Sequence, residues 1–243
     1  VTDAPPEGGQ DTLVYQGNAN NLAQSVSDWV DISGNSNCAA SLLSKRDDRF
    51  RNPVTLTFVT AKWVGSGSNI APCGLPPNSS NSTGVSSSTV VPSSVGASLI
   101  YNFYNGTYPG QTYADTNLIF SGLDTNQIYT ISFYCAASLA ASCGHRYMTA
   151  YCYDSTNHRA DSVAGFDAYQ NISNLISFYN KRPDASGKIR IGLWPKTGGN
   201  AGNCSNVGFF NSVQIWQQGT RAGVFNKINS KQDYLVKEGI FWV

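Results

Sequence analysis

The chain has 243 residues, of which 41% are hydrophobic and only 13% charged, and its formal net charge is +1. A chain of this length can bury roughly 70–75% of its unfolded surface in one core. The near-neutral balance, with no run of Lys and Arg, excludes a nucleic-acid binder, because phosphate neutralisation needs clustered cations. No apolar stretch approaches the roughly 18 residues of a spanning helix, so membrane insertion is not expected.

In chain order, Val1–Gly9 is rich in Pro and Gly and leads into two short strand candidates, Thr12-Leu-Val-Tyr15 and Asp28-Trp-Val-Asp-Ile32. The chain does not begin with Met and shows no signal-peptide pattern, so removal of an upstream segment is expected. Lys45–Arg51 is the densest charge cluster; it mixes signs and reads as a solvated loop. Val54–Thr60 alternates as a strand does. Gly65–Ser98 is a Ser, Gly and Pro-rich excursion, too poor in apolar surface to order itself. It belongs within one domain, since the strand before it would otherwise lack sheet partners. At the far end, Tyr234–Val236 and Ile240–Trp242 frame a Lys-Glu-Gly turn and predict a small hairpin, marginal unless packed on something else.

The stretch from Leu118 to Trp216 carries the strongest signal. In Ile128–Cys135 the residues Tyr129, Ile131, Phe133 and Cys135 share one face, and Thr130, Ser132 and Tyr134 the other. That period of two, with β-branched and aromatic residues, marks a half-buried strand. It recurs in Leu118–Asp124, Arg146–Tyr153, Leu175–Tyr179, Lys188–Trp194 and Phe209–Trp216, with turn formers at Asp124–Gln127 and Pro183–Gly187. The predicted class is all-β, an antiparallel β-sandwich. Its expected organisation is an N-terminal segment with the first strands (1–32), the sandwich with its excursion at 65–98 (33–220), and a hairpin tail (221–243).

The words FSGLDTNQIYTISFY, RYMTAYCY, FDAYQNISNLISF, PDASGKIRIGL and GFFNSVQIW, in that order, resemble the galactose-binding-like β-jelly-roll modules. The resemblance covers roughly residues 97–216 and extends weakly to 11–60. It implies a jelly-roll sandwich of a kind often found beside carbohydrate-active enzymes and often sugar-binding. The two ends resemble short segments of bacteriophage tail and fibre proteins: Asp3-Ala-Pro with Tyr15 and Trp29-Val at the start, and Tyr234–Val243 at the finish. That second resemblance implies a virion appendage, at the virion surface or otherwise extracellular, with other virion proteins as neighbours. Viral fibres being often trimeric, a homotrimer is the favoured assembly.

Six cysteines without CxxC spacing and only two histidines argue against zinc. Disulfides are expected instead, with Cys38–Cys73 and Cys143–Cys204 as the candidate pairs. Cys135 and Cys152, on predicted core faces of neighbouring strands, are either a third bridge or small buried apolar groups. Asn-x-Ser/Thr sequons at Asn78, Asn81, Asn105, Asn171 and Asn203 are about as many as this composition gives by chance.

No nucleophile elbow, phosphate loop or dinucleotide fingerprint is present, and the only two glutamates, Glu7 and Glu238, sit near the ends. The expected role is therefore binding rather than catalysis. Alternation leaves Tyr147, Tyr151 and Tyr153 opposite the Met148–Cys152 core face, Arg190 and Trp194 opposite Ile189–Leu193, and Tyr134 outward on its own strand. If those strands are neighbours, the result is an aromatic and cationic platform on which sugar CH faces can stack. Asp154–Asp161 is oxygen-rich, with Asp154 and Asp161 as weak candidates for a structural calcium; no other cofactor is implied. The preferred reading is a virion appendage recognising host-surface glycans or another host receptor. The alternatives are a purely structural virion subunit and a binding module of a secreted enzyme.

Overall fold

The computed structural model describes residues 10–19, 26–32, 43–58, 63–64, 84–97, 100–103, 118–138, 145, 147–195 and 207–219. At 43, 58, 63–64, 100–103, 194–195 and 207–208 it describes the backbone only. The strands in chain order are β1 (Thr12–Ala19), β2 (Val30–Ile32), β3 (Leu43–Arg46), β4 (Thr55–Phe58), β5 (Trp63–Val64), β6 (Ile100–Phe103) and β7 (Leu118–Ser121). They continue with β8 (Tyr129–Tyr134), β9 (Tyr147–Tyr153), β10 (Arg159–Asp167), β11 (Ile176–Lys181), β12 (Ile189–Pro195), β13 (Val207–Phe210) and β14 (Ser212–Gln217). Among the described residues one short helix, α1 (Ser93–Ala97), follows Pro92, whose ring presets the backbone for a first turn.

Two large sheets form a β-sandwich. The five-stranded sheet runs β11-β8-β14-β1-β2 and the six-stranded sheet β10-β9-β12-β7-β4-β3; a three-stranded sheet, β13-β6-β5, is bonded separately and packs Phe209 and Phe210 of β13 into the common core. All pairings are antiparallel except β1 with β2. β1, from the start of the chain, lies beside β14, from its other end. Both halves of the polypeptide therefore build one core.

The alternation read from sequence holds within the strands. Tyr129, Ile131 and Phe133 of β8 face Phe120, Met148, Ala150 and Ile191 across the sandwich, all buried. An aromatic chain crosses between the layers: Tyr15 to Phe120 at 6.0 Å, Phe120 to Phe133 at 6.2 Å, and Phe133 to Phe210 at 6.1 Å. Edge and tilted contacts of this kind add to the area they bury.

Several expectations need correction. Phe209–Trp216 is not one strand: Asn211 divides it, sending β13 to the small sheet and β14 to the five-stranded sheet. The Asn211 side chain accepts from the Ala136 N–H at 2.6 Å and donates to the Gly96 carbonyl at 3.1 Å, which fixes the break. The excursion is ordered where it is described. Residues 84–97 bury Val85, Val91 and Val95 against Tyr134 and Ala136, because three valines at suitable spacing outweigh the polar average. Lys45–Arg51 is not merely a solvated loop, since Lys45 and Arg46 lie in β3 and Asp47 is buried beside Arg49. From Arg159 onward the stretch is strand, for Arg159–Asp167 forms β10 despite its polar sequence.

Cys135 and Cys152 are buried free thiols. They are not on neighbouring strands: Cys135 follows β8 of the five-stranded sheet, and Cys152 lies on β9 of the six-stranded one. Burial pushes the Cys152 thiol up to about 11 and raises that of Cys135 as well. Cys38, Cys73, Cys143 and Cys204 lie outside the described residues, as do Val1–Gly9 and the tail from 220 onward. Asn171 is only 5% exposed and its amide is spent on the Cys135 and Asn174 carbonyls, so its sequon is structural. No helix among the described residues is long and apolar enough to cross a membrane.

Candidate functional site

The six predicted platform residues divide between the two sheets. Arg190, Tyr147, Tyr151 and Tyr153 share the outer face of the six-stranded sheet, because β9 and β12 are direct neighbours, with Arg190 opposite Tyr153 and Gly192 opposite Tyr151. Trp194 sits on β12 opposite Thr149; its side chain is outside the described set. Tyr134 does not join them. Its strand, β8, pairs with β11 and β14 in the other sheet, because the chain crosses the sandwich between β8 and β9. Tyr134 does face away from the core, as alternation requires, but the Val85–Val95 segment covers it. It is 1% exposed, its hydroxyl donates to the Asn171 carbonyl at 2.5 Å, and burial holds its phenol above the ordinary range.

What remains is a strip along β9 and its edge neighbour β10. Tyr151 is half-buried, and the Arg159 guanidinium of β10 lies over its ring at 4.1 Å. Tyr153, 6.5 Å away and tilted, is 5% exposed and serves more as support than as contact surface. At the other end His145 stacks on Tyr147 at 5.8 Å with only 13° between the planes, and Tyr169 meets it edge-on at 6.0 Å. His145 Nδ1 is 2.5 Å from Asp167 Oδ2, with the imidazole 66% exposed. This acid–imidazole pair is thus largely set in solvent.

The charges near the strip are largely compensated. Arg190 donates to Asp184 at 2.6 Å. Partial burial works against ionising Asp184, but hydrogen bonds from Ser186, Lys188 and Arg190 prevail and hold its carboxyl down at about 2. Lys181 of β11 reaches Asp161 of β10 at 2.5 Å, tying the edges of the two sheets.

The calcium candidates are engaged separately. Asp154 Oδ1 accepts from the Thr156 N–H, the Thr156 hydroxyl and the His158 N–H, at 2.9, 2.7 and 2.9 Å, closing the β9–β10 turn as an Asx turn. Asp161 belongs to Lys181. Among the described residues no group of three or more His, Cys, Asp or Glu converges on one point. A cleft of 360 Å³ also opens at one end of the sandwich, lined by Val14, Asn52, Pro53, Val54, Leu123 and Tyr129, among others. No predicted site residue lines it.

Reading the sequence missed Arg159, His145 and Tyr169. Arg159 stands in a stretch whose alternation is weak; His145 lies just before β9, and Tyr169, outside the strands, is brought to it by tertiary packing.

No protein-family model matches the chain, and no curated protein matches it. Among solved structures it is similar to the ectodomain of ANX2 from Arabidopsis thaliana, at 12% identity and a TM-score of 0.39, over 69% of this chain and 52% of that one.

Proposed function

We propose that this chain is a non-catalytic recognition module that holds a host-surface glycan against the β9–β10 strip, as part of a virion appendage. The observation that carries this reading is the Tyr151 ring, partly exposed on β9 with the Arg159 guanidinium 4.1 Å from its centre. An aromatic ring offers its π face to the apolar CH face of a sugar, and Arg159 and Thr149 supply directional donors and acceptors beside it. The virion setting rests on the resemblance of the terminal segments to phage tail and fibre proteins. In that setting the neighbours are other virion proteins, the expected assembly is a trimer, and the location is the virion surface.

A glycan array probed with the intact chain tests the reading. At least one glycan class is expected to be retained, and Tyr151→Ala to weaken it about tenfold, the scale of one good ring contact. The melting temperature should fall by only a few degrees, since the ring is half out of the core. Retention unchanged by Tyr151→Ala would move the site elsewhere. No retention of any glycan would leave the purely structural virion subunit as the better account.

A further inference from the structure

The cleft at one end of the sandwich has a chemistry of its own, independent of the β9–β10 strip. It lies where β4 and β8 begin and β7 and β14 end. Its walls are apolar: Val14, Pro53, Val54 and Leu123, with Val54 and Leu123 buried. The two lips are held close together. Gly122, at φ +85°, lies against Pro53, where a Cβ would stand 2.6 Å from the Pro53 carbonyl oxygen. The Val54 carbonyl accepts the Asp47 N–H at 3.0 Å, and the Leu123 N–H donates to the Gly187 carbonyl at 3.1 Å. Each lip is therefore tied to a neighbouring turn.

One end of the cleft is polar. The Tyr129 hydroxyl accepts the Asp124 N–H at 2.9 Å, which sets the phenol oxygen beside that residue. Asp124 Oδ1 accepts the Asn126 N–H at 2.9 Å, closing the turn between β7 and β8, and Oδ2 is left uncommitted. Asp47, Asp48, Asp161 and Asp184 each hold an arginine or a lysine. Among the described residues no cation pairs with Asp124, and no Lys, Arg or His lines the cleft. Exposed Asn52 and half-buried Gln217 add neutral acceptors.

An apolar trough that ends in one unpaired carboxylate suits a cation carried on a methylene stem. A guanidinium binds best through two parallel bonds to both carboxylate oxygens. Here Oδ1 is turned to Asn126, and one free oxygen matches a compact ammonium better. A free diamine would bring a second charge for which the cleft has no second carboxylate. The volume of 360 Å³ lies near the lower end of ordinary ligand sites, enough for one long side chain.

We infer that this cleft is a docking site for a lysine side chain of a partner protein. The stem lies along Val14, Pro53, Val54 and Leu123, and the ammonium donates to Asp124 Oδ2 and to the second lone pair of the Tyr129 oxygen. Asn52 and Gln217 meet the partner's backbone. One such contact has an affinity on the order of millimolar, so it sets the register of a wider interface rather than holding the partner alone.

The test titrates the full isotope-labelled chain with Nα-acetyl-lysine methylamide, pentylamine, pentanol and pentanoate, following backbone amide shifts by NMR. Both amines are expected to shift the amides of Gly122, Leu123, Asp124, Tyr129 and Gln217. Pentanol should bind about tenfold more weakly and pentanoate not at all. High salt should weaken the amines and leave pentanol unaffected. Asp124→Asn keeps an acceptor for the Asn126 N–H, so the melting curve should be retained while amine binding falls about tenfold; Tyr151→Ala should leave it unchanged. The inference is overturned if the lysine derivative shifts none of these amides, if pentanol binds as tightly as pentylamine, or if Asp124→Asn binds the amines like the parent. Shifts confined to Tyr147, Tyr151 and Tyr169 would place the cation on the rings of the strip and overturn it equally.

Discussion

Asp47 and Arg49 act together as a missing strand. The backbone of Gln16 in β1 has no strand neighbour on its β2 side, since β2 begins alongside Gly17. Asp47 Oδ2 accepts the Gln16 N–H at 3.3 Å, and Arg49 Nη2 donates to the Gln16 carbonyl at 3.2 Å. The two side chains are bonded to each other at 2.7 and 2.5 Å, with the Asp47 side chain wholly buried. A buried carboxylate that loses its partner is costly. Arg49→Met should therefore destabilise the fold by about 2 kcal/mol, less than for a fully buried pair because Arg49 is about one-third exposed. Urea denaturation checks this, and a loss below about 0.5 kcal/mol would show that water replaces the guanidinium. At Asp184 the folded carboxyl is depressed from 3.8 to about 2, so its contribution to stability is complete above pH 4 and disappears as pH falls towards 2. Asp184→Asn should flatten the fall of the urea midpoint between pH 4 and 2, without removing the share due to Asp154 and Asp161, which are also depressed. Equal slopes in parent and variant would place the acid sensitivity elsewhere.

At the scale of elements, the segment 84–97 shows how a polar stretch becomes part of the fold. Its ends meet where the Gly84 N–H donates to the Ala97 carbonyl at 2.9 Å. A Cβ on Gly84 would stand 1.9 Å from the Gly96 carbonyl oxygen and 2.7 Å from the Asn211 amide, both fixed by other bonds. Gly84→Ala should therefore lift the segment off the five-stranded sheet and uncover Tyr134. Limited proteolysis is the check: new cleavage between 84 and 97 in the variant, with those bonds protected in the parent. Identical digestion patterns would mean the segment can relax around the methyl group. β10 is the contrasting case. It is an exposed edge strand with two register shifts, one beside Gly165 at φ +70°, and with Asp161 and Arg159 on its length. Bulges and charges of this kind keep an open edge from pairing with other chains. The same features erased the alternation by which a strand is read from sequence.

At the scale of the whole molecule, the sandwich offers two outer faces with different chemistry. On the six-stranded sheet the rings of Tyr147 and Tyr151 stand with Arg159 and His145 around them. On the five-stranded sheet Tyr179 and Trp216 stand among hydroxyls and amides, with the Asp47–Arg49 pair at Gln16 on the far side.

For β8, β9 and β12, strand identity and inward or outward facing were legible in the residues themselves, because the period of two is a local consequence of backbone geometry. Tyr129, Ile131 and Phe133 had to be core, and Tyr151 had to face away from it. Which strands are neighbours was not legible. The pairing of β9 with β12, the separation of β8 from β9 and the junction of β1 with β14 depend on long-range packing that no local period encodes. That is why Tyr134, with the same alternation as Tyr151, ended beneath three valines while Tyr151 came to rest under an arginine from a strand the pattern did not reveal.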